Sequence, residues 1–93
     1  MGIANNSPKS FNMPFTEDGQ PGYLSINQEM RPYKNSVTPT DRYYIYCMHP
    51  KYGSCTFIVV QIKGNAWVSE IHPPYITNMF IERIGIMIEN QNK

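Results

Sequence analysis

The stretch Cys55–Ile71, CTFIVVQIKGNAWVSEI, decides the predicted fold. Its two runs of β-branched and aromatic residues are separated by Gly64 and Asn65, which tolerate the positive φ angles of tight hairpin turns. The stretch therefore predicts a β-hairpin with a two-residue turn, and the length of the turn sets the register. The expected cross-strand pairs are Lys63 with Ala66, Ile62 with Trp67, Val60 with Ser69 and Ile58 with Ile71.

This register divides the hairpin into two faces, because successive residues of a strand point to opposite sides of the sheet. One face is expected to enter the core, and it consists of Ile58, Val60, Ile62, Trp67 and Ile71. The other face is expected to be half-buried, and it consists of Phe57, Val59, Gln61, Val68 and Glu70. Both are packing surfaces without catalytic chemistry.

The run Arg42–Met48, RYYIYCM, predicts a strand that precedes the hairpin, since aromatic and β-branched residues favour strands. If residues 49–54 form a hairpin loop with equal strand lengths on both sides, this strand pairs with the strand that begins at Cys55. The expected pairs are Cys47 with Cys55, Ile45 with Phe57 and Tyr44 with Ile58. The three strands together predict an antiparallel meander.

The chain upstream of Arg42 carries weaker signals. Leu24 and Ile26 alternate with polar residues, and Pro32 interrupts regular pairing, so residues 23–29 are predicted to form a short edge strand. Residues 34–41 are expected to form a loop on composition. The predicted fold class is therefore mainly β, a small antiparallel sheet that is sandwich- or barrel-like.

The C-terminal segment after Pro73 and Pro74 supports two structures. A strand over residues 79–89 is favoured, because isoleucine is frequent and Gly85 interrupts the segment. In the alternative, one C-terminal helix follows the two prolines and makes the fold α+β. The side chains that share a face of that helix are Ile76, Phe80, Ile84, Met87 and Ile88.

The first 22 residues predict an extended N-terminal arm, and residues 23–93 predict the β domain. Three prolines and two glycines leave no sustained period in the arm. Phe11, Met13 and Phe15 alternate and would anchor an extended arm on a partner's sheet or groove. The alternative is that these three residues fold back onto the core of their own chain.

Composition favours contact with other proteins. Only 16% of the 93 residues are charged, and seven are tyrosines, which supply a large contact area at low entropic cost. The net charge of +1, without basic runs, disfavours nucleic-acid binding. No apolar run is long enough for a membrane span, and the first residues do not resemble a signal peptide. The chain is expected to be soluble and made in the cytoplasm.

Little in the sequence predicts catalysis. The spacing of Cys47, Cys55, His49 and His72 does not fit a metal site. Without an export signal, the two cysteines are expected to be reduced thiols packed as small apolar groups, the alternative being a cross-strand disulfide. No nucleophile motif, phosphate-binding loop or carboxylate pair is evident. We expect no metal, no cofactor and no enzymatic activity.

The sequence therefore predicts a non-catalytic structural subunit that forms homo-oligomers or a larger assembly through protein contacts. A virion component, such as a capsid-decoration, connector or tail protein, fits this description. The expected contact residues are Phe11, Met13, Phe15, Tyr23, Tyr33 and Tyr52. One alternative is a small monomeric inhibitor or adaptor that docks on a host protein through its sheet. Another is a module that stacks sugars or single-stranded nucleic acid on exposed Tyr44, Tyr46 or Trp67.

Overall fold

The computed structural model describes residues 8–91 of the chain, without the side chain of Asn65. They form a mainly β structure, in which five antiparallel strands build a curled half-barrel sheet and one C-terminal helix follows. The elements are β1 (Ser10–Glu17), β2 (Gln20–Tyr33), β3 (Ser36–His49), β4 (Gly53–Ile62), β5 (Ala66–Val68) and α1 (Asn78–Asn90). Each strand pairs with the next in sequence, which confirms the predicted antiparallel meander.

The first strand lies within the predicted N-terminal arm. Residues 10–17 pair with residues 20–27 through a two-residue turn, in which Asp18 and Gly19 adopt φ angles of 52° and 78°. An Asp-Gly pair suits such a turn because both residues tolerate a positive φ. The boundary expected at residue 22 therefore falls inside β2, and residues 10–17 belong to the sheet. Residues 1–7 lie outside the described residues.

The second and third strands are longer than the sequence predicted. Residues 23–29 were expected to form an edge strand, but β2 runs from residue 20 to residue 33 and pairs on both sides. The predicted loop at residues 34–41 was also wrong, because β3 begins at Ser36. Cross-strand pairing overrides the weak strand propensity of the prolines and polar residues here.

The register between β3 and β4 is confirmed, whereas that between β4 and β5 is shifted. Cys47 pairs with Cys55, as predicted. The β4–β5 connection is a three-residue 3-10 turn at Lys63–Asn65, so Ile62 pairs with Ala66, and Trp67 lies opposite Gln61 instead of Ile62. One extra residue in the turn reverses which β4 residues share a face with Trp67.

The predicted core face of this hairpin was therefore wrong. Phe57, Val59 and Trp67 are buried, whereas Ile62 is exposed and Ile71 is 82% exposed. Trp67 lies on the same side of the sheet as Phe57 and Val59, and this is the side that enters the core. The side chains of Ile58 and Val60 lie on the opposite side and are half-buried.

Residues 78–90 form a helix, so the preferred C-terminal strand was wrong and the helical alternative is correct. Thr77 caps α1 by accepting a hydrogen bond from the Phe80 backbone N–H at 3.1 Å. Gly85 fits against the indole ring of Trp67, where a Cβ atom would overlap that ring. The buried helical residues are Phe80, Ile81, Ile84, Gly85 and Ile88.

We call the side of the sheet on which α1 packs the covered face and the opposite side the open face. The covered face holds the core: aromatic rings meet where Phe15 contacts Phe80, with ring centroids 5.2 Å apart. The buried apolar residues that sheet and helix contribute are Phe15, Leu24, Ile26, Tyr43, Ile45, Cys47, Phe57, Val59, Trp67, Ile76, Phe80, Ile81, Ile84 and Ile88. The open face has no element of residues 8–91 packed across it.

Candidate functional site

The β2–β3 hairpin projects beyond the rest of the sheet. β1 pairs with β2 only as far as Asn27, and β4 pairs with β3 only as far as Arg42. Within residues 8–91, residues 30–39 therefore pair only with each other, and we call this segment the finger. A register irregularity between Gln28 and Met30 marks its root. The molecule is correspondingly elongated, with extents of 46 × 23 × 22 Å.

One side of the finger is entirely apolar. At its root, Glu29 accepts a hydrogen bond from the Tyr44 hydroxyl, at 2.9 Å, and forms an ion pair with Arg31, at 3.3 Å. These contacts place the odd-numbered residues of β2 on the open face at this point, so the even-numbered residues lie on the side of the covered face. The apolar side consists of two cross-strand pairs, Met30 with Pro39 and Pro32 with Val37.

The apolar side of the finger is exposed toward its tip and half-buried toward its root. Val37 is 49% exposed, Pro32 is also exposed, and Met30 and Pro39 are half-buried. At the tip, Tyr33 is 62% exposed and the Nζ of Lys34 lies 5.5 Å from its ring centroid. Lys34 has a φ of 56°, a conformation that is uncommon for residues other than glycine.

The open face contains a groove of about 460 Å³ over its central strands. Exposed side chains surround it: Tyr44 is 47% exposed, Tyr46 is 43% exposed, and Ile71 stands above the sheet. Its walls are mainly apolar and carry no charged side chain. The lining residues are Asn27, Tyr44, Ile45, Tyr46, Thr56, Phe57, Ile58 and Ile71.

A network of charged and hydroxyl groups joins the root of the finger to the open face. Hydrogen bonds from Thr40, at 2.8 Å, and from Tyr44 hold the pKa of Glu29 below its ordinary value, against the opposite effect of burial. The same bond raises the pKa of Tyr44. Arg42 donates to both oxygens of Glu70, at 3.0 and 3.1 Å, while its Nε lies 3.6 Å from Glu29, too far for a hydrogen bond.

The predicted contact residues divide into two groups. Phe11, Met13 and Phe15 lie on the covered face of β1, where Phe15 is buried and the other two pack against the core. This is the alternative placement expected for them, and it makes them part of the chain's own packing. The remaining three, Tyr23, Tyr33 and Tyr52, are exposed.

The three exposed tyrosines do not form one cluster. Tyr33 is at the tip of the finger. Tyr23 lies at the other end of the sheet and lines a second groove of about 410 Å³. Tyr52 stacks on Tyr75, with ring centroids 4.2 Å apart, beside the buried ring of His49. The structure therefore separates the tyrosines that the sequence grouped together.

Among the thiols and imidazoles of residues 8–91, Cys47 and His49 are buried, and Cys55 and His72 are half-buried. Cys47 and Cys55 are free thiols. Burial, and to a smaller extent the neighbouring Cys55, raises the pKa of Cys47 to about 12. The interaction with Cys55 also raises the pKa of Tyr75. His49 Nδ1 accepts the backbone N–H of Lys51, at 3.1 Å. A thiol with so high a pKa is protonated at neutral pH, whereas nucleophilic catalysis needs the thiolate.

Comparisons of the chain with protein-family models, with curated proteins and with solved structures returned no match. No cluster of three or more potential metal-ligating side chains occurs between residues 8 and 91. In the same part of the chain, helical segments fall short of the length and apolar character that a membrane crossing requires.

The finger was missed because Pro32, Pro39 and several polar residues resembled a loop. A signal was nevertheless present: apolar residues at 37 and 39 alternate with hydroxyl residues at 36, 38 and 40, which is the period of a strand. The groove was missed because the reversed hairpin register assigned Ile58 and Ile71 to the core.

Proposed function

We propose that this protein is a non-catalytic assembly subunit whose finger inserts into a contact with a neighbouring protein molecule. The observation that carries the proposal is the projecting finger, whose apolar side exposes Pro32 and Val37 and leaves Met30 and Pro39 half-buried. The proposal keeps the protein–protein contact predicted from composition and places it at residues 30–39, which include Tyr33 but none of the other five predicted contact residues. Membership of a virion rests on composition alone.

The stability of an isolated hairpin supports this assignment. A two-stranded hairpin is marginally stable in water unless it packs against another element. Complete burial of an apolar side chain of the size of valine contributes about 1.5 kcal/mol or more. With Val37 49% exposed, much of this stabilisation is still available to a partner that covers the apolar side.

The two outer strands of the sheet are less suited to assembly. β1 has Pro14 at its centre, and proline lacks the N–H that an added strand requires. β5, on the other side, is three residues long. Both features hinder edge-to-edge pairing with another chain. The finger therefore offers the better surface for an ordered contact.

Sedimentation velocity of the wild type and two matched variants tests the proposal. Val37→Asp places a carboxylate on the apolar side, whereas Thr38→Asp introduces the same charge at the next residue, on the polar side. Burying an unpaired carboxylate costs well over the roughly 1.4 kcal/mol that corresponds to tenfold in affinity. We expect Val37→Asp to weaken self-association at least tenfold and Thr38→Asp to retain it. Equal association of both variants would reject the finger as the contact.

The groove of the open face favours a second candidate, the monomeric adaptor or inhibitor. Tyr44, Tyr46 and Ile71 form an exposed apolar surface without a charged lining residue, which suits docking on one different protein. Under this alternative the wild type remains a monomer at every concentration, and a finger variant binds the partner as the wild type does. The sugar or nucleic-acid module draws on the same two exposed tyrosines, but Trp67 is buried.

A further inference from the structure

We infer that the finger of one copy docks in the open-face groove of a second copy, so that the chains join head to tail. This inference rests on the proposed function and names the partner surface. The donor surface is the apolar side of the finger, and the acceptor surface is the groove that Tyr44, Tyr46, Ile58 and Ile71 line.

The two surfaces are on opposite sides of the sheet. The finger presents its apolar residues on the side of the covered face, whereas the groove opens on the other side. A finger therefore cannot fill the groove of its own chain without reversing its direction. A second copy displaced along the strands presents its groove directly beneath the finger of the first. Both surfaces are apolar, so the contact desolvates few polar groups.

The charges around the two surfaces are compatible. The finger carries two cations, Arg31 and Lys34, and no carboxylate between residues 30 and 39. The groove lining has no charged residue, and next to Ile71 the Glu70 side chain is 56% exposed although it accepts hydrogen bonds from Arg42. Within residues 8–91, the Lys34 ammonium lies over the ring of Tyr33 and forms no ion pair, which leaves it able to pair with a carboxylate on the neighbour.

The geometry determines the kind of assembly. A contact between two different surfaces leaves one finger and one groove unused in a dimer, so association continues to a ring or an open chain. Four residues in each strand, at about 3.3 Å per residue, give the finger a length of about 13 Å and a width of roughly 10 Å. One such junction is smaller than the roughly 800 Å² per partner of a standard interface, so we expect weak association at micromolar concentrations.

The test is a mixing experiment with one variant of each surface. Val37→Asp damages the finger and leaves the groove intact, whereas Ile71→Asp damages the groove and leaves the finger intact. Ile71 is 82% exposed, so the second substitution costs little stability. The matched control is Met79→Asp, which exchanges a 76% exposed apolar residue of α1 that belongs neither to the finger nor to the groove lining. Circular dichroism of each variant verifies folding, and sedimentation velocity gives the masses.

The expected result has three parts. The wild type and Met79→Asp grow beyond two chains as concentration rises, each surface variant alone is monomeric, and an equal mixture of the two gives a species of two chains and none larger. If Ile71→Asp associates as the wild type does while Val37→Asp does not, the groove assignment is overturned and the proposed function stands. If Val37→Asp also associates as the wild type does, both fail. A wild type that stops at two chains overturns the head-to-tail geometry alone.

Discussion

The contact between α1 and β5 predicts that Gly85→Ala destabilises the protein, although the same substitution in an exposed helix is usually stabilising. Replacing glycine by alanine inside an exposed helix stabilises a protein by about 1 kcal/mol. At Gly85, however, the new Cβ would lie within 3.0 Å of three atoms of the Trp67 ring. That ring is 6% exposed, and its N–H donates to Glu89 at 2.7 Å, so it cannot move aside freely.

The expected effect of Gly85→Ala is the difference between these two contributions. Overpacking a core costs about 1–3 kcal/mol, and an overlap with a fixed ring is at the upper end of that range. After subtracting the gain of about 1 kcal/mol in helix propensity, we expect the free energy of unfolding to fall by roughly 2 kcal/mol. In a domain of this size this lowers Tm by about 8–16 °C.

Urea unfolding followed by fluorescence measures this loss, because Trp67 is the single tryptophan of the chain. A control repeats Gly85→Ala in a Trp67→Leu background, followed by circular dichroism. There the smaller side chain leaves room for the Cβ atom, so the substitution should be neutral or stabilising. If Gly85→Ala stabilises the wild type by about 1 kcal/mol, α1 does not pack on Trp67 and the described helix docking is incorrect.

Three further predictions concern the thiols, the root of the finger and the helix cap. Because burial raises the pKa of Cys47 to about 12, iodoacetamide should label Cys55 first, and mass spectrometry of the peptides should find Cys47 unmodified until the chain unfolds. The folded-state pKa of Glu29 lies below its ordinary value of 4.5, so this group stabilises the fold above about pH 4.5, and the contribution is lost as pH falls further. The stability difference between wild type and Glu29→Gln should therefore be greatest near neutral pH and narrow below pH 4.5 in urea titrations; a constant difference would contradict this. Thr77→Ala should lower the free energy of unfolding by about 1 kcal/mol, while Thr77→Ser should change it little, as measured by the urea midpoint.

Local patterns were sufficient to predict the meander and one of its registers. The aromatic and β-branched run at residues 42–48 predicted the C-terminal half of β3, and a symmetric connection to the next strand placed Cys47 opposite Cys55. The register of β5 was not predictable in the same way. Gly64 suits either a two-residue or a three-residue turn, and burial of Trp67 beside α1 selects the longer one.

The helix and the two candidate surfaces depend on tertiary contacts. Isoleucine and glycine are poor indicators of a helix, yet in α1 Gly85 is required by the close approach of Trp67. The finger has few contacts of its own, and its prolines concealed the strand period. The groove exists because Ile58 and Ile71 lie on the open face instead of in the core. Their position follows from the length of the turn between β4 and β5. Composition predicted protein contact but did not predict which residues would make it.

Amide hydrogen exchange of the finger, measured over a range of protein concentrations, tests the central claim most directly. In dilute protein the backbone amides of the non-proline residues between 30 and 39 should exchange much faster than those at the centre of β3, because within residues 8–91 they pair only with each other. As concentration rises and the chains associate, protection should increase in the finger and around the groove. Slow finger exchange in a dilute monomer, unchanged at high concentration, would contradict the claim that the finger needs a neighbouring molecule.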